Sequence, residues 1–171
     1  MQLILIRHAK AEERSRIRYP DDDLRPLSKA GIQEQKKLSK LLVRMGIKLD
    51  HIVTSPRLRA VQTAEIVARE FSLERALESD SVLGDDFSVE AVLGGMSRFG
   101  ESDRIACVGH EPDLSELTSG MLCQQWLSID FKKSGVLAAR FDGHPSPGMG
   151  NLLYFSKPRQ LLRLAETLES D

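Results

Sequence analysis

Cysteine is scarce: Cys107 and Cys123 are the only two in 171 residues. Two thiols cannot build a disulfide framework, so the expected setting is the reduced cytoplasm. Charge of one sign is also missing, because 24 Lys and Arg oppose 25 Asp and Glu. The resulting net charge of -1 gives no global basic field for nucleic acid. No apolar run approaches the roughly 20 residues of a membrane span. The opening Met1 to Ile6 meets Arg7 too soon for a secretory signal and has no basic segment before it. Linkers, repeats and low-complexity stretches are absent, as is any Gly-x-x-x-x-Gly-Lys loop for a nucleotide. Cys107 is followed six positions later by Asp113, where a cysteine phosphatase loop needs arginine. What remains is 41% hydrophobic and 29% charged, enough to bury roughly 70% of the unfolded surface in one domain spanning 1–171.

Short apolar runs alternate with amphipathic segments, which predicts a single three-layer α/β domain: a mostly parallel central sheet flanked by helices. Leu3–Ile6, His51–Thr54, Arg104–Val108, Val136–Phe141 and Asn151–Phe155 read as strands. Ser28 caps a helix that ends at Gly46. Ser55-Pro56 reads as N-cap and first helical residue of a second helix, whose apolar face carries Ala60, Ala64, Val67 and Phe71. Further helices are expected from Ser88 to Phe99, after Pro112 and after Pro158.

Ligands of open α/β sheets bind beyond the carboxyl ends of the strands. Three predicted strands end in unusual residues: Arg7-His8, Thr54-Ser55 with Arg57 and Arg59 just beyond, and Gly109-His110. A single strand-end histidine is ordinarily structural. Two of them at one edge, with arginines, point to phosphoryl transfer. Neutral imidazole attacks phosphorus near neutral pH. Guanidinium groups match phosphate oxygens two at a time and spread their charge. Such a site calls for no metal or cofactor.

Ile6-Arg7-His8-Ala9, the stretch Thr54 to Ala64, Val108-Gly109-His110 and the segment Asp23 to Gly31 together resemble the histidine phosphatase superfamily, the phosphoglycerate mutase-like fold. The short chain, Arg-His-Ala-Lys-Ala at 7–11 and Arg25-Pro26-Leu27 resemble its small phosphohistidine phosphatase branch, the SixA type. The resemblance implies that His8 is the nucleophile, that Arg7 and Arg59 clamp the phosphoryl group, and that His110 hydrogen-bonds its oxygens. Arg25 becomes an accessory phosphate ligand. Ser55 either lends a hydroxyl to the site or simply caps the helix. Arg57 matches no functional position of the family and reads as a solvated helix residue. Ala9 stands where the family has Gly, which a backbone of negative φ tolerates.

Family members that cleave phosphate esters use a carboxylic acid to protonate the leaving alkoxide. Asp85 and Asp86 are the proton-donor candidates here, although loop acids ahead of the Ser88 helix describe them as well. Imidazole, the leaving group of phosphohistidine, needs less help. The chain also lacks the long insertions that would close over a sugar phosphate. The expected function is hydrolysis of phosphohistidine on a protein partner. The alternatives are a small-molecule phosphomonoesterase and a non-catalytic phosphate-binding module. Asp21-Asp22-Asp23 read as solvated acids rather than metal ligands, and Cys107 as core.

Overall fold

The computed structural model describes residues 1–168. Its elements follow the order β1 (Gln2–Arg7), α1 (Lys29–Arg44), β2 (His51–Thr54), α2 (Leu58–Phe71), β3 (Leu77–Ser79), α3 (Val89–Met96), β4 (Arg104–Gly109), α4 (Asp113–Leu122), β5 (Val136–Arg140), β6 (Asn151–Ser156) and α5 (Pro158–Leu168). The six strands form one sheet in the order β3-β2-β4-β1-β5-β6. The first four run parallel, whereas β5 joins β1, and β6 joins β5, antiparallel. The fold is thus the expected α/β sandwich around a mixed, mostly parallel sheet.

Alternation along the strands builds the two layers. Leu3, Leu5, Ile105 and Cys107 face one side, where they meet Val92, Leu93 and Met96 of α3 and Leu114, Leu117 and Met121 of α4. Ile4, Ile6, Ala106 and Val108 face the other, against Leu38 and Leu42 of α1 and Ala60, Ala64 and Val67 of α2. A central strand buried on both faces reads as a continuous apolar run, as Leu3 to Ile6 does. Each fully buried Leu or Ile contributes about 1.5–3 kcal/mol. Cys107 is wholly buried in this core, and burial pushes its thiol up to about 12.

Sheet order and register fix where the strands end. Arg7 pairs with Gly109, and Thr54 pairs with Val108. The residues just beyond those pairs, His8, His110 and Ser55, therefore lie side by side at the carboxyl edge of three adjacent parallel strands. Backbone bonds extend the ladder there, from His8 N–H to the Gly109 carbonyl (3.0 Å) and from Ser55 N–H to the Val108 carbonyl (2.9 Å).

Candidate active site

His8 and His110 meet at that edge with ring centroids 5.1 Å apart. Nδ1 of His8 is 2.7 Å from the Ala9 carbonyl, which can only accept. The proton therefore sits on Nδ1, and Nε2 keeps its lone pair. Burial, reinforced by the charges of Arg59, Arg7 and Lys133, lowers the His8 pKa to about 3. At neutral pH the ring is uncharged and nucleophilic. His110 is likewise held to about 3, by burial first and then by His8 and three nearby arginines. Ala9 is fully buried and is not among the residues of positive φ, so its methyl group is accommodated.

Ser55 is not the helix cap that its sequence position suggests. The N-cap of α2 is Arg57, which makes no side-chain cap bond. The Ser55 hydroxyl is fully buried and stands 2.8 Å from Nε2 of His110. It also accepts a long bond, 3.4 Å, from the Arg57 N–H. A hydroxyl that accepts from a backbone donor is free to donate onward to the imidazole. When the hydroxyl donates in this way, the His110 proton sits on Nδ1, a buried nitrogen without a partner among the described residues.

The arginines come from three elements. Arg7 ends β1 and donates from Nη1 to the Phe131 carbonyl at 2.6 Å, while its Nε is buried without a partner among the described residues. Arg59, in the first turn of α2, is 4% exposed, and its Nε likewise has no partner among the described residues. Its Nη1 bonds the carbonyl of Asp22 at 2.8 Å and approaches that residue's carboxylate at 3.4 Å. Arg25 lies behind it, engaging Asp22 through Nε (2.8 Å) and the Glu12 carbonyl through Nη1 (2.9 Å). Burial lowers the pKa values of Arg7 and Arg59 from the usual arginine range. Thr63 binds the assembly together: its hydroxyl accepts from Ala9 N–H and donates to the Arg59 carbonyl.

Two readings from the sequence need correction here. Arg57 is a partner of the site's rim rather than a solvated residue, because it bridges Asp23 (2.9 Å) and Asp85 (2.7 Å). Asp22 is an arginine anchor rather than a solvated acid, and the Arg25 hydrogen bond holds its carboxyl below the usual range. Neither role has a sequence signal beyond the proximity of opposite charges. Asp85 and Asp86 stand on the exposed loop ahead of α3, as loop acids. Gly84, just before them, packs so closely on Ser55 that an added Cβ would lie 3.1 Å from its hydroxyl. Glu111, after His110, is a carboxyl that the sequence reading passed over. Burial raises its pKa, and Ser115 donates to it at 2.7 Å. Among the described residues no cluster of three or more His, Cys, Asp or Glu could hold a metal.

A mostly parallel sheet with two buried histidines and buried arginines at one edge defines an α/β protein with the site expected for phosphoryl transfer. The family model for the histidine phosphatase superfamily (branch 1) matches residues 3–82. A protein of Picosynechococcus is 31% identical over 170 residues, covering 95% of this chain and 99% of its own. The chain belongs to the histidine phosphatase superfamily. In fold it is similar to the protein histidine phosphatase SixA complexed with tungstate, with a TM-score of 0.81 at 22% identity over 94% of this chain and 99% of that one. It is also similar to phosphoserine phosphatase of Entamoeba histolytica in complex with 3-phosphoglyceric acid, with a TM-score of 0.63, 17% identity and coverage of 94% and 98%. Phosphoglycerate mutase of Bacillus anthracis gives a TM-score of 0.67, 13% identity and coverage of 95% and 96%. No described helix is long and apolar enough to cross a membrane.

Proposed function

We propose that the chain hydrolyses phosphohistidine on a protein partner through a phosphorylated His8. The observation that carries this reading is the neutral His8, its Nε2 lone pair free, beside the buried Nε of Arg7, Nε of Arg59 and Nδ1 of His110, which find no partner among the described residues. Buried polar groups are ordinarily satisfied, so a set of unpaired donors marks where an anion binds. The likeness of the fold to SixA, seen with the oxyanion tungstate, supports the same reading.

His8 Nε2 attacks phosphorus as the bond from phosphorus to the substrate's imidazole nitrogen breaks, and that nitrogen takes up a proton from solvent, which the water of the second step gives back. Arg7, Arg59 and the His110 Nδ1–H meet the charge on the equatorial oxygens. Ser55 fixes the His110 tautomer, and Arg25 supports Arg59 through Asp22. Water then attacks the phosphoryl group on His8, releasing inorganic phosphate. Because imidazole leaves readily, Asp85 and Asp86 remain minor proton-donor candidates. No cofactor takes part.

The test is to mix the protein with a phosphohistidine-carrying protein labelled in its phosphoryl group. A transient, acid-labile, base-stable phosphoenzyme is expected in the parent. It should be absent from His8→Ala, which should remain folded because His8 lies at a strand end. Appreciable turnover by folded His8→Ala would overturn the covalent mechanism.

A further inference from the structure

Beside the phosphoryl site, and sharing Arg7 with it, lies a cavity of about 550 Å³. Its cations come from separate parts of the chain: Arg7 and Lys10 around the end of β1, Lys132 and Lys133 ahead of β5, and Lys157 and Arg159 at the start of α5. A single carboxylate, Glu34, lines it in return. The whole chain carries a net charge of -1, so this concentration is local rather than compositional. Asp130 engages two of the cations, Lys132 at 2.6 Å and Lys157 at 2.8 Å. Lys10, Lys133 and Arg159 make no ion pair among the described residues. Burial, together with the charges of Arg7, Arg25 and Lys10, lowers the pKa of Lys133, as expected for a cation pressed among cations.

Pockets for small organic ligands are walled mainly by apolar side chains. Here Pro158 is the one apolar residue on the wall, and the apolar surface comes largely from the alkyl stems of lysines and arginines whose charged ends carry the specificity. Its volume exceeds what a lone oxyanion fills, and its cations stand on three separate segments of the chain. From that geometry we infer that the cavity receives an acidic segment of the protein that carries the phosphohistidine, its carboxylates meeting Lys10, Lys133 and Arg159 while the phosphoryl group enters between Arg7 and His8. The inference rests on the phosphohistidine reading of the site and adds how the partner is chosen. Complementary charge of this kind raises association rates by about 10–10³ at low salt and loses the gain as salt rises.

Lys10 and Arg159 are exposed, so reversing both charges should spare the fold. The variant Lys10→Glu/Arg159→Glu is compared with the parent on a phosphohistidine protein whose surface beside the histidine is acidic, and on phosphoramidate. For the protein substrate, kcat/KM should fall about tenfold or more, through KM, and the parent's salt dependence should flatten. Phosphoramidate turnover should stay within about twofold, because no group bonding the phosphoryl site changes. Lys10→Gln/Arg159→Gln should lie between. An equal fall for both substrates, or no fall for either, overturns the inference.

Binding of a fluorescent Glu-rich peptide, followed by anisotropy, separates this proposal from the one beneath it. Peptide binding that weakens with salt and with charge reversal supports the acidic-segment site even if no phosphohistidine protein is hydrolysed, an outcome that overturns the substrate reading alone. Peptide that binds parent and variant alike overturns the site whatever the turnover shows.

Discussion

His8 and His110 couple the chemistry of the site to the stability of the fold. Both are buried and both have pKa values near 3, against about 6.5 in an unfolded chain. Between those values the unfolded state binds more protons, so stability falls as pH drops below about 6.5 and keeps falling toward 3. Each histidine contributes a slope of about 1.4 kcal/mol per pH unit within that window. Urea unfolding measured at intervals from pH 7 to pH 5 should show this decline, and His110→Gln should remove about one proton's worth of it. An unchanged slope in that variant would mean that His110 is not held neutral by the fold. The four central residues, Arg7, His8, Arg59 and His110, were legible because strand ends and a short sequence pattern place them without knowledge of packing. The Ser55 contact was not: the local rule for Ser-Pro assigns a helix cap, and only the β2–β4 pairing turns the hydroxyl toward His110. The anchoring of Arg25 and Arg59 by Asp22 depends likewise on a turn meeting α2 across the fold.

At the scale of elements, the start of α1 is the piece most tightly fitted to the site. Ser28 caps it by accepting from Gly31 N–H, and also donates to the Lys10 carbonyl, two residues past His8. Gly31 lies against that same carbonyl, so an added Cβ would stand 2.0 Å from its oxygen. Alanine normally improves a helix interior by up to about 1 kcal/mol over glycine. Here overpacking reverses the sign: Gly31→Ala should cost about 1–3 kcal/mol and lower kcat/KM by displacing the loop after His8. Gly94, inside α3 with nothing near its Cβ direction, is the control, and Gly94→Ala should stabilise. Thermal melts of the two variants moving in the same direction would refute the packing argument. The first helix was legible at its serine and glycine punctuation: Ser28 caps as read, and Gly46 takes the left-handed backbone after α1, while Ser88, read only as the start of a helix, caps α3. Strand β3 was not, because its three residues Leu77–Ser79 sit at the sheet edge and show neither an apolar run nor alternation. The antiparallel attachment of β5 to β1 was hidden as well, since it is settled by which edge of the sheet is left open.

Over the whole molecule, an exposed acidic loop and a basic cavity both adjoin the site, and substrate choice follows from both. The loop carrying Asp85 and Asp86 is exposed, and the Asp85 carboxylate is tied to Arg57 at 2.7 Å instead of pointing at His8. A group so placed serves poorly as a dedicated acid for an alkoxide. Phosphohistidine does not require one, because its imidazole departs readily once protonated. The change Asp85→Asn/Asp86→Asn removes an exposed ion pair, which costs at most about 1 kcal/mol of stability. Hydrolysis of phosphohistidine should then stay within about tenfold of the parent, below the 10²–10⁴ that general acid catalysis contributes. Alkyl phosphates should be poor substrates of the parent for the same reason, and aryl phosphates, whose leaving groups are more acidic, slow but measurable. The measurement is kcat/KM for all three substrate types in both proteins. If alkyl esters are the best substrates and collapse in the double variant, one of these aspartates donates the proton. The protein is then a phosphomonoesterase built on the same two histidines, and the basic cavity beside Arg7 would have to receive part of a small phosphorylated molecule.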